Sequence, residues 1–320
     1  MTAWELLAAV AADLTLGDPR WLPHPVKGMG WVIAKAEQAA HGIPRPPQAQ
    51  RLAGLWLAVG LPAGCLLGGW LIIELAARLH PAAGAVVTVY LAYTTLAIRD
   101  LIDHARAVQR ALEEKDLDGA RRAVARIVGR DTTDLPESEI VRATVETVAE
   151  NASDGIIAPL CYLVLGGPPL ALAYKAINTL DSMIGHLSEP HRHVGWASAR
   201  LDDGANWIPA RLTGLLLVGA AHILGYGRGY DGRTAWRIFR RDAAKHPSPN
   251  SGRPEAAMAG ALRVQLGGTN VYGGMVSERP RLGDPQCPLA PGHIAMALDL
   301  VMTATGVAVG VALIILVAWW

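Results

Sequence analysis

The sequence predicts an all-α, polytopic integral membrane protein with amphipathic cytoplasmic helices, and three observations predict it. The 320 residues are 51% hydrophobic and only 18% charged, with a mean hydropathy of +0.24, more apolar and less charged than an average soluble domain. Two uncharged apolar runs, LAGLWLAVGLPAGCLLGGWLII at 52–73 and LVMTATGVAVGVALIILVAWW at 300–320, match the roughly 20 helical residues that cross a hydrocarbon core. The polar sequence between such runs repeats with a helical period, and β-strand alternation is scarce.

From the N-terminus, TAWELLAAVAADLTLGD lacks the basic region of a signal peptide and carries Glu5 and Asp13, so it reads as a retained interfacial helix. The following loop, GDPRWLPHPVKGMG, is stiffened by prolines and offers Asp18, Arg20, His24 and Lys27. Residues 17–51 add Lys35, Arg45 and Arg51, and residues 99–142 hold nine Arg or Lys, so both segments are expected in the cytoplasm, with runs 52–73 and 82–98 forming a hairpin between them. Residues 99–155 predict two or three amphipathic helices, with Leu101, Ala105, Val108 and Leu112 on one face. In GRDTTDLPESE, Thr133 or Asp134 is the expected N-cap of the last of them.

The run 156–177 is broken by GGPP at 166–169 and is expected to enter the membrane and return, with arms at 156–165 and 170–177; the short run 212–225 is expected to lie tilted or dip likewise. Segment 225–292 is Arg- and Lys-rich, hence cytoplasmic, and its clear helix is expected over 254–266 between Pro and Gly. Residues 1–320 thus form a single integral membrane domain, in which segments 99–155 and 225–292 supply parts of one active site open to the cytoplasm. Cys65, Cys161 and Cys287 form no C-x-x-C pair and read as packing residues. A net charge of +1 gives no overall attraction to nucleic acid.

Four polar clusters stand out against this apolar background. In VETVAENASDGIIAPL, helical spacing puts Arg142, Glu146, Glu150 and Asp154 on one stripe, with Asn151 beside it. Like charges repel there, and a divalent cation such as Mg²⁺ with substrate phosphates would relieve them; the plainer reading is a solvated acidic face at a membrane surface. YKAINTLDSMIGH places Lys175, Asn178, Asp181 and Ser182 on neighbouring turns, and RLDDGANWIPARL pairs Asp202 or Asp203 with Asn206 ahead of Arg211. Ionisable groups beside membrane segments are functional by default. The fourth cluster, HPSPNSGRPEAAMAGALRVQLGG, gathers His246, Ser248, Asn250, Ser251, Arg253 and Glu255 at a helix start before a glycine-rich turn, which favours anions, although an ordinary capped helix has the same look. No P-loop motif is present. His186, His191 and His193 lack the Cys partners or H-E-x-x-H spacing of a zinc site.

GDPRWLPHPV, ARAVQRAL, VGRDT, VETVAENASDGIIAP, YKAINTLDSMIGH, ARLDDGANWIPARL and HPSPNSGRPEAAMAGAL, in this order, resemble the CobD/CbiB family of cobalamin biosynthesis, the adenosylcobinamide-phosphate synthases. The resemblance implies an inner-membrane, carbon–nitrogen ligase that joins (R)-1-aminopropan-2-ol, or its O-phosphate, to the f-propionate of adenosylcobyric acid. Activating a carboxylate toward an amine calls for ATP as cosubstrate and Mg²⁺. On that reading Glu146, Glu150, Asp154, Lys175 and Asp181 are catalytic. Arg130, Arg142, Asn178, Ser182, Arg211, His246, Ser248, Asn250, Ser251 and Arg253 bind substrate or phosphate. Glu150, Asn151, Asp154, Asp181, Asp202, Asp203, Asn206 and Glu255 hold the metal. Membrane lipid is the surrounding partner, and a homo-oligomer or association with other corrinoid-pathway enzymes is compatible with it.

Two other classes compete. An intramembrane Mg²⁺-dependent prenyltransferase would favour D-x-x-x-D pairs, whereas the pairs here join Asn to Asp. A membrane sensor or transporter would need polar residues inside runs 52–73 and 300–316, where only Thr303 and Thr305 stand.

Overall fold

The computed structural model describes residues 1–19, 21–41, 46–185 and 192–319. In chain order its helices are α1 (Ala3–Leu16), α2 (Pro25–His41), α3 (Pro47–Leu79), α4 (Pro81–Tyr93), α5 (Ile98–Glu113), α6 (Leu117–Val124), α7 (Glu137–Asn151), α8 (Ala158–Ile184), α9 (Trp196–Ala205), α10 (Trp207–Leu224), α11 (Gly232–Asp242), α12 (Gly252–Leu262) and α13 (Gly292–Trp319). A π-helical turn, Ala152–Ile157, joins α7 to α8, and a hairpin of β1 (Leu266–Tyr272) and β2 (Met275–Leu282) follows α12. Among the described residues, five helical stretches are long and apolar enough to cross a membrane: Pro47–Leu79, Pro81–Glu113, Glu137–Ile184, Trp207–Leu224 and Gly292–Trp319. The protein is an all-α, polytopic membrane protein. The outer surface of α3 says the same, because Leu52, Leu55, Trp56, Val59, Leu67, Trp70, Leu71 and Leu75 are exposed, as a lipid-facing helix requires.

The chain forms two compact units, one of Met1–Ala97, Ala158–Asn206 and Val311–Trp320, the other of Ile98–Ile157 and Trp207–Gly310. In the first, α1 opens with a capping box in which Thr2 and Glu5 satisfy each other's backbone N–H. The proline-rich loop is pinned from α4, whose Tyr93 hydroxyl donates to Gly17 O and whose Tyr90 hydroxyl donates to Pro23 O. Helices α2, α4 and α8 pack through Met29, Leu91, Leu172 and Ala176, and a second cluster joins Ile33, Leu180, Ile184 and Val194.

Helix α8 is two arms, not one rod. Gly166 and Gly167 leave helical geometry, and Gly167, at φ 66° and ψ −166°, occupies a region essentially reserved for glycine. The rings of Tyr162 and Tyr174 stack with centroids 4.8 Å apart, whereas twelve residues of straight helix would separate them by about 18 Å. The chain therefore turns back on itself at the expected GGPP break, with Pro168 and Pro169 opening the second arm. That arm runs on to Ile184, past the expected limit at 177.

In the second unit the expected apolar face of α5 is buried, with Leu101 at 8% exposure and Ala105, Val108 and Leu112 below it. Helix α12 is the centrepiece, buried at every residue from Pro254 to Leu262. Its Gly260 lies so close to Thr234 and Ala235 that a Cβ would stand 2.7 Å from backbone.

Several expected boundaries are corrected. Helix α12 stops at Leu262 because Arg263 adopts left-handed φ 59° and Val264 N bonds back to Ala259 O, so Leu266 begins a strand instead. The N-cap of α7 is Pro136 without a side-chain bond, and neither Thr133 nor Asp134 caps it. The 212–225 run belongs to an unbroken 18-residue helix, α10, about 27 Å long, and does not dip and return. His186, His191, Arg20 and Arg45 lie outside the described residues.

Gly167→Ala places no atom in a clash, since the nearest contacts to its Cβ are 3.8 Å away, so its cost is backbone strain of about 1–3 kcal/mol. A lowered melting temperature of the detergent-solubilised variant is the expected outcome, and an unchanged one would mean that the turn at GGPP tolerates an L-residue.

Candidate active site

Two polar centres emerge, one in each unit. The first is built on α7 of the second unit around Glu146. Its carboxylate receives Arg142 Nη1 at 2.9 Å, the Gly267 N–H at 2.8 Å and the Arg130 guanidinium. Both arginines also donate to Asn270 Oδ1, at 2.6 Å from Arg130 and 3.0 Å from Arg142, and Arg142 reaches Thr269 O at 2.9 Å and Glu139. Arg130, Arg142, Glu146 and Asn270 are all buried. Three of the roughly four lone-pair positions on Glu146 are thus taken by protein donors. The VGRDT stretch supplies both Arg130 and Asp131, and the latter's carboxylate grips the Gly273 and Gly274 N–H groups of the hairpin turn at 3.1 and 2.8 Å.

One turn beyond Glu146, Glu150 accepts from Ser251 Oγ at 2.9 Å. Ser248 Oγ in turn receives the N–H groups of Asn250 and Ser251, and His246 Nδ1 receives that of Ser248 at 3.1 Å. The HPSPNS stretch is thereby folded into a compact loop ahead of α12. His246 Nε2 stands 3.9 Å from Glu255 Oε1, both side chains buried. Burial, and then the positive charge of Arg279, hold the His246 imidazole below its usual pKa and so neutral. Glu255 is driven well above the carboxylate range by burial and by the neighbouring Glu146 and Glu150. Asp154, the next residue at the helical spacing of Arg142, Glu146 and Glu150, stands in the π-helical turn that begins at Ala152, beyond the end of α7. Asn151 donates back to Thr147 O, and Arg211 lies over the Trp207 ring and donates to Trp207 O.

The second centre lies in the first unit, on the returning arm of α8 and on α9. Asn206 Nδ2 donates to Asp202 Oδ1 at 3.0 Å while its own Oδ1 receives the Tyr174 hydroxyl at 2.8 Å. Tyr162, stacked on Tyr174, donates to Ala205 O at 2.8 Å. Asn178 also hydrogen-bonds Asp202, and the Asp181 charge acts on it. Burial and Asp181 raise the Asp202 carboxyl to about 7. Lys175 is on the same arm, one turn from Asn178, and the Ser182 hydroxyl is spent on Asn178 O. Asp203 turns toward Arg200 at 3.7 Å.

Among the described residues no group of three or more His, Cys, Asp or Glu is placed to hold a metal ion by itself. The donors present nevertheless fit Mg²⁺, which takes one or two carboxylates and completes its shell with water and substrate phosphates. Glu150 with Glu255, and Asp181 with Asp202, are pairs whose mutual repulsion a divalent cation would relieve.

The sequence model of the CobD/Cbib protein family matches residues 6–301. The chain belongs to that family. It is similar to proteins named "Cobalamin biosynthesis protein CobD" from Geobacter metallireducens, 53% identical over 89% of this chain and 87% of the relative, and from Listeria monocytogenes, 44% identical over 92% of each. A Klebsiella pneumoniae protein of the same name is 45% identical over 100% of this chain and 98% of its own length. No solved structure matches. Of the motifs that carry the CobD/CbiB resemblance, VGRDT, VETVAENASDGIIAP and HPSPNSGRPEAAMAGAL build the first centre, and YKAINTLDSMIGH and ARLDDGANWIPARL the second. Asp131 and Tyr174 stand inside VGRDT and YKAINTLDSMIGH, whereas Asn270, Arg279 and Tyr162 belong to none of these motifs, and the local signal near the first two is the Gly-Gly turn in TNVYGGMV, which marks a hairpin.

Glu146→Ala strands two buried guanidiniums and is expected to destabilise the protein by about 3–5 kcal/mol, whereas Glu150→Ala, which frees one serine hydroxyl, is expected to cost about 1 kcal/mol. Chemical denaturation in detergent checks the contrast. Because Asp202 has a raised pKa in the folded protein, it binds more protons there than in the unfolded chain. Its contribution is therefore full below the ordinary aspartate range near 4 and is lost as pH rises toward about 7. Asp202→Asn should remove that slope and raise stability above neutrality; an identical pH profile would contradict the assignment.

Proposed function

We propose that this protein acts in cobalamin biosynthesis as a carbon–nitrogen ligase. It joins (R)-1-aminopropan-2-ol or its O-phosphate to the f-propionate carboxylate of adenosylcobyric acid at the expense of ATP. Family membership and the names of its relatives support the pathway. The observation that carries the chemistry is the centre around Glu146, Glu255 and His246, where buried carboxylates stand among Arg130, Arg142 and Arg279. Phosphoryl transfer needs such a preorganised field, because catalysis there is mostly positioning and charge stabilisation.

In the proposed reaction a corrin carboxylate oxygen attacks the terminal phosphorus of ATP, the bond to ADP breaks, and an acyl phosphate forms. The neutral amine then attacks the acyl carbon and phosphate departs. His246, Ser248, Asn250, Ser251 and Arg253 are assigned to phosphate, and Arg211 to a substrate anion. Glu150, Asn151, Asp154 and Glu255 in the second unit, and Asp181, Asp202, Asp203 and Asn206 in the first, are assigned to Mg²⁺, whose charge would neutralise phosphate. Lys175, Asn178 and Ser182 are assigned to the substrates. The active site is assigned to the cytoplasm, in an inner-membrane protein, because the Arg- and Lys-rich segments 99–142 and 225–292 favour that side.

Purified protein incubated with adenosylcobyric acid, the amine or its phosphate, ATP and Mg²⁺ should yield the amide by mass spectrometry. No product with either amine defeats the proposal. Asp154→Ala and Asp181→Ala should each abolish turnover while the protein still inserts in the membrane, and full turnover by both would remove these carboxylates from the reaction.

A further inference from the structure

The β1–β2 hairpin bears two residues to which the ligase reading assigns no ligand, Asn270 and Arg279. Two guanidiniums fix the Asn270 amide: its Oδ1 accepts from Arg130 and Arg142 at 2.6 and 3.0 Å, so its NH₂ must occupy the other side. That nitrogen is buried and has no hydrogen-bond partner, in a residue 3% exposed. Asparagine donors so placed are costly to leave unmade and point to a ligand acceptor. Other buried groups in the same unit share the condition, Ser153 Oγ, Arg263 Nε and Thr305 Oγ1 among them, and two stand in the stretch ahead of and opening α12. His246 Nδ1 accepts from the Ser248 N–H, which puts the ring proton on Nε2, and Nε2 has no hydrogen-bond partner; neither has Arg253 Nε.

Arg279 supplies charge on the same face. It pairs with Gly268 across the hairpin, and residues 268 and 270 of one strand point to one side. Its Nη2 donates to the Tyr272 hydroxyl at 3.0 Å, which again places it on that side. Its charge reaches both His246 and Glu255. The hairpin is not free to swing, since Gly267 N–H is bound to Glu146, and Gly273 and Gly274 N–H to Asp131.

We propose that the hairpin is one wall of a phosphoryl-binding site, in which the Asn270 NH₂ group and the Arg279 guanidinium, with His246 Nε2–H, bind the oxygens of a phosphate ester or polyphosphate. The inference rests on the ligase reading for the identity of the anion, which is the terminal phosphoryl of the nucleotide or the O-phosphate of the amine. Arg130 and Arg142 then serve as positioning residues, aiming the amide through its oxygen. Asn270→Asp separates the two roles, because it keeps an oxygen for the arginines and replaces the donor by a second acceptor.

Binding of ATP with Mg²⁺, tripolyphosphate, 1-aminopropan-2-ol O-phosphate and inorganic phosphate to the full-length protein in detergent is measured by calorimetry, beside the melting temperature. Asn270→Asp is expected to keep its melting temperature and to weaken binding by at least ~10-fold, the equivalent of about 1.4 kcal/mol. Arg279→Gln is expected to weaken the same probe and decides the matter should Asn270→Asp not fold. Loss confined to ATP and tripolyphosphate identifies the nucleotide as the source; loss confined to the aminopropanol phosphate identifies the amine. Wild-type affinity for every probe in the variants that fold overturns the proposal. A wild-type protein that binds no phosphate probe overturns both this site and the ATP-dependent reading. Weakened phosphate binding in the variants, alongside a wild-type protein that forms no amide, leaves the site standing and removes the ligase.

Discussion

One buried carboxylate organises the second unit. Glu146 joins stretches of sequence that are distant in the chain: Arg130 from the VGRDT loop, Arg142 from its own helix, and the Gly267 N–H of the first strand. A buried ion pair gains little net stability over apolar packing, because desolvation consumes most of the Coulombic attraction. What it provides is placement. Each guanidinium is held by more than one acceptor, and their shared hold on Asn270 extends the order from α7 to the hairpin. Asp131 secures the hairpin's other end through the turn glycines, so both members of an Arg-Asp dipeptide hold the same hairpin, one at β1 and one at its turn.

Around this fixed network lie groups that the fold leaves energetically unsettled. Glu255 is fully buried near two other carboxylates, and His246 is buried and neutral beside it. Perturbed acids and bases in one place are the usual mark of a site built for charged reactants. The same logic holds in the first unit, where Asp202 and Asp181 compete for ionisation and a stacked tyrosine pair orients Asn206 against Asp202. Tyr162 and Tyr174 meet only because Gly166 and Gly167 reverse the chain between them. A backbone conformation open to glycine alone thus carries a side-chain constellation twelve residues wide.

Hydropathy and periodicity are local quantities, and what they govern was legible: the apolar runs, the amphipathic face of α5, the reversal at GGPP, and the polar motifs that mark the family. The helix start at Gly252 was nearly legible too, yet its end was not. Whether RVQLGG continued as helix depended on Arg263 taking a left-handed conformation and on strand β2 arriving from ten or more residues away. The π-helical turn at Ala152–Ile157 was equally hidden, since NASDGII has no composition that distinguishes it from ordinary helix.

By itself the sequence determined the class of the protein, the segments suited to lipid and the residue types available for chemistry, because burial in hydrocarbon and helical spacing follow from neighbours in the chain. Only the tertiary structure decided which carboxylates are already occupied and which are not. Glu146 and Glu150 are one turn apart with the same side chain, but one meets two guanidiniums and a backbone N–H, and the other a serine hydroxyl. The partners of Glu146 lie 4, 16 and 121 residues away along the chain and that of Glu150 lies 101 away, and electrostatic environment depends on distance in space, not on position in sequence.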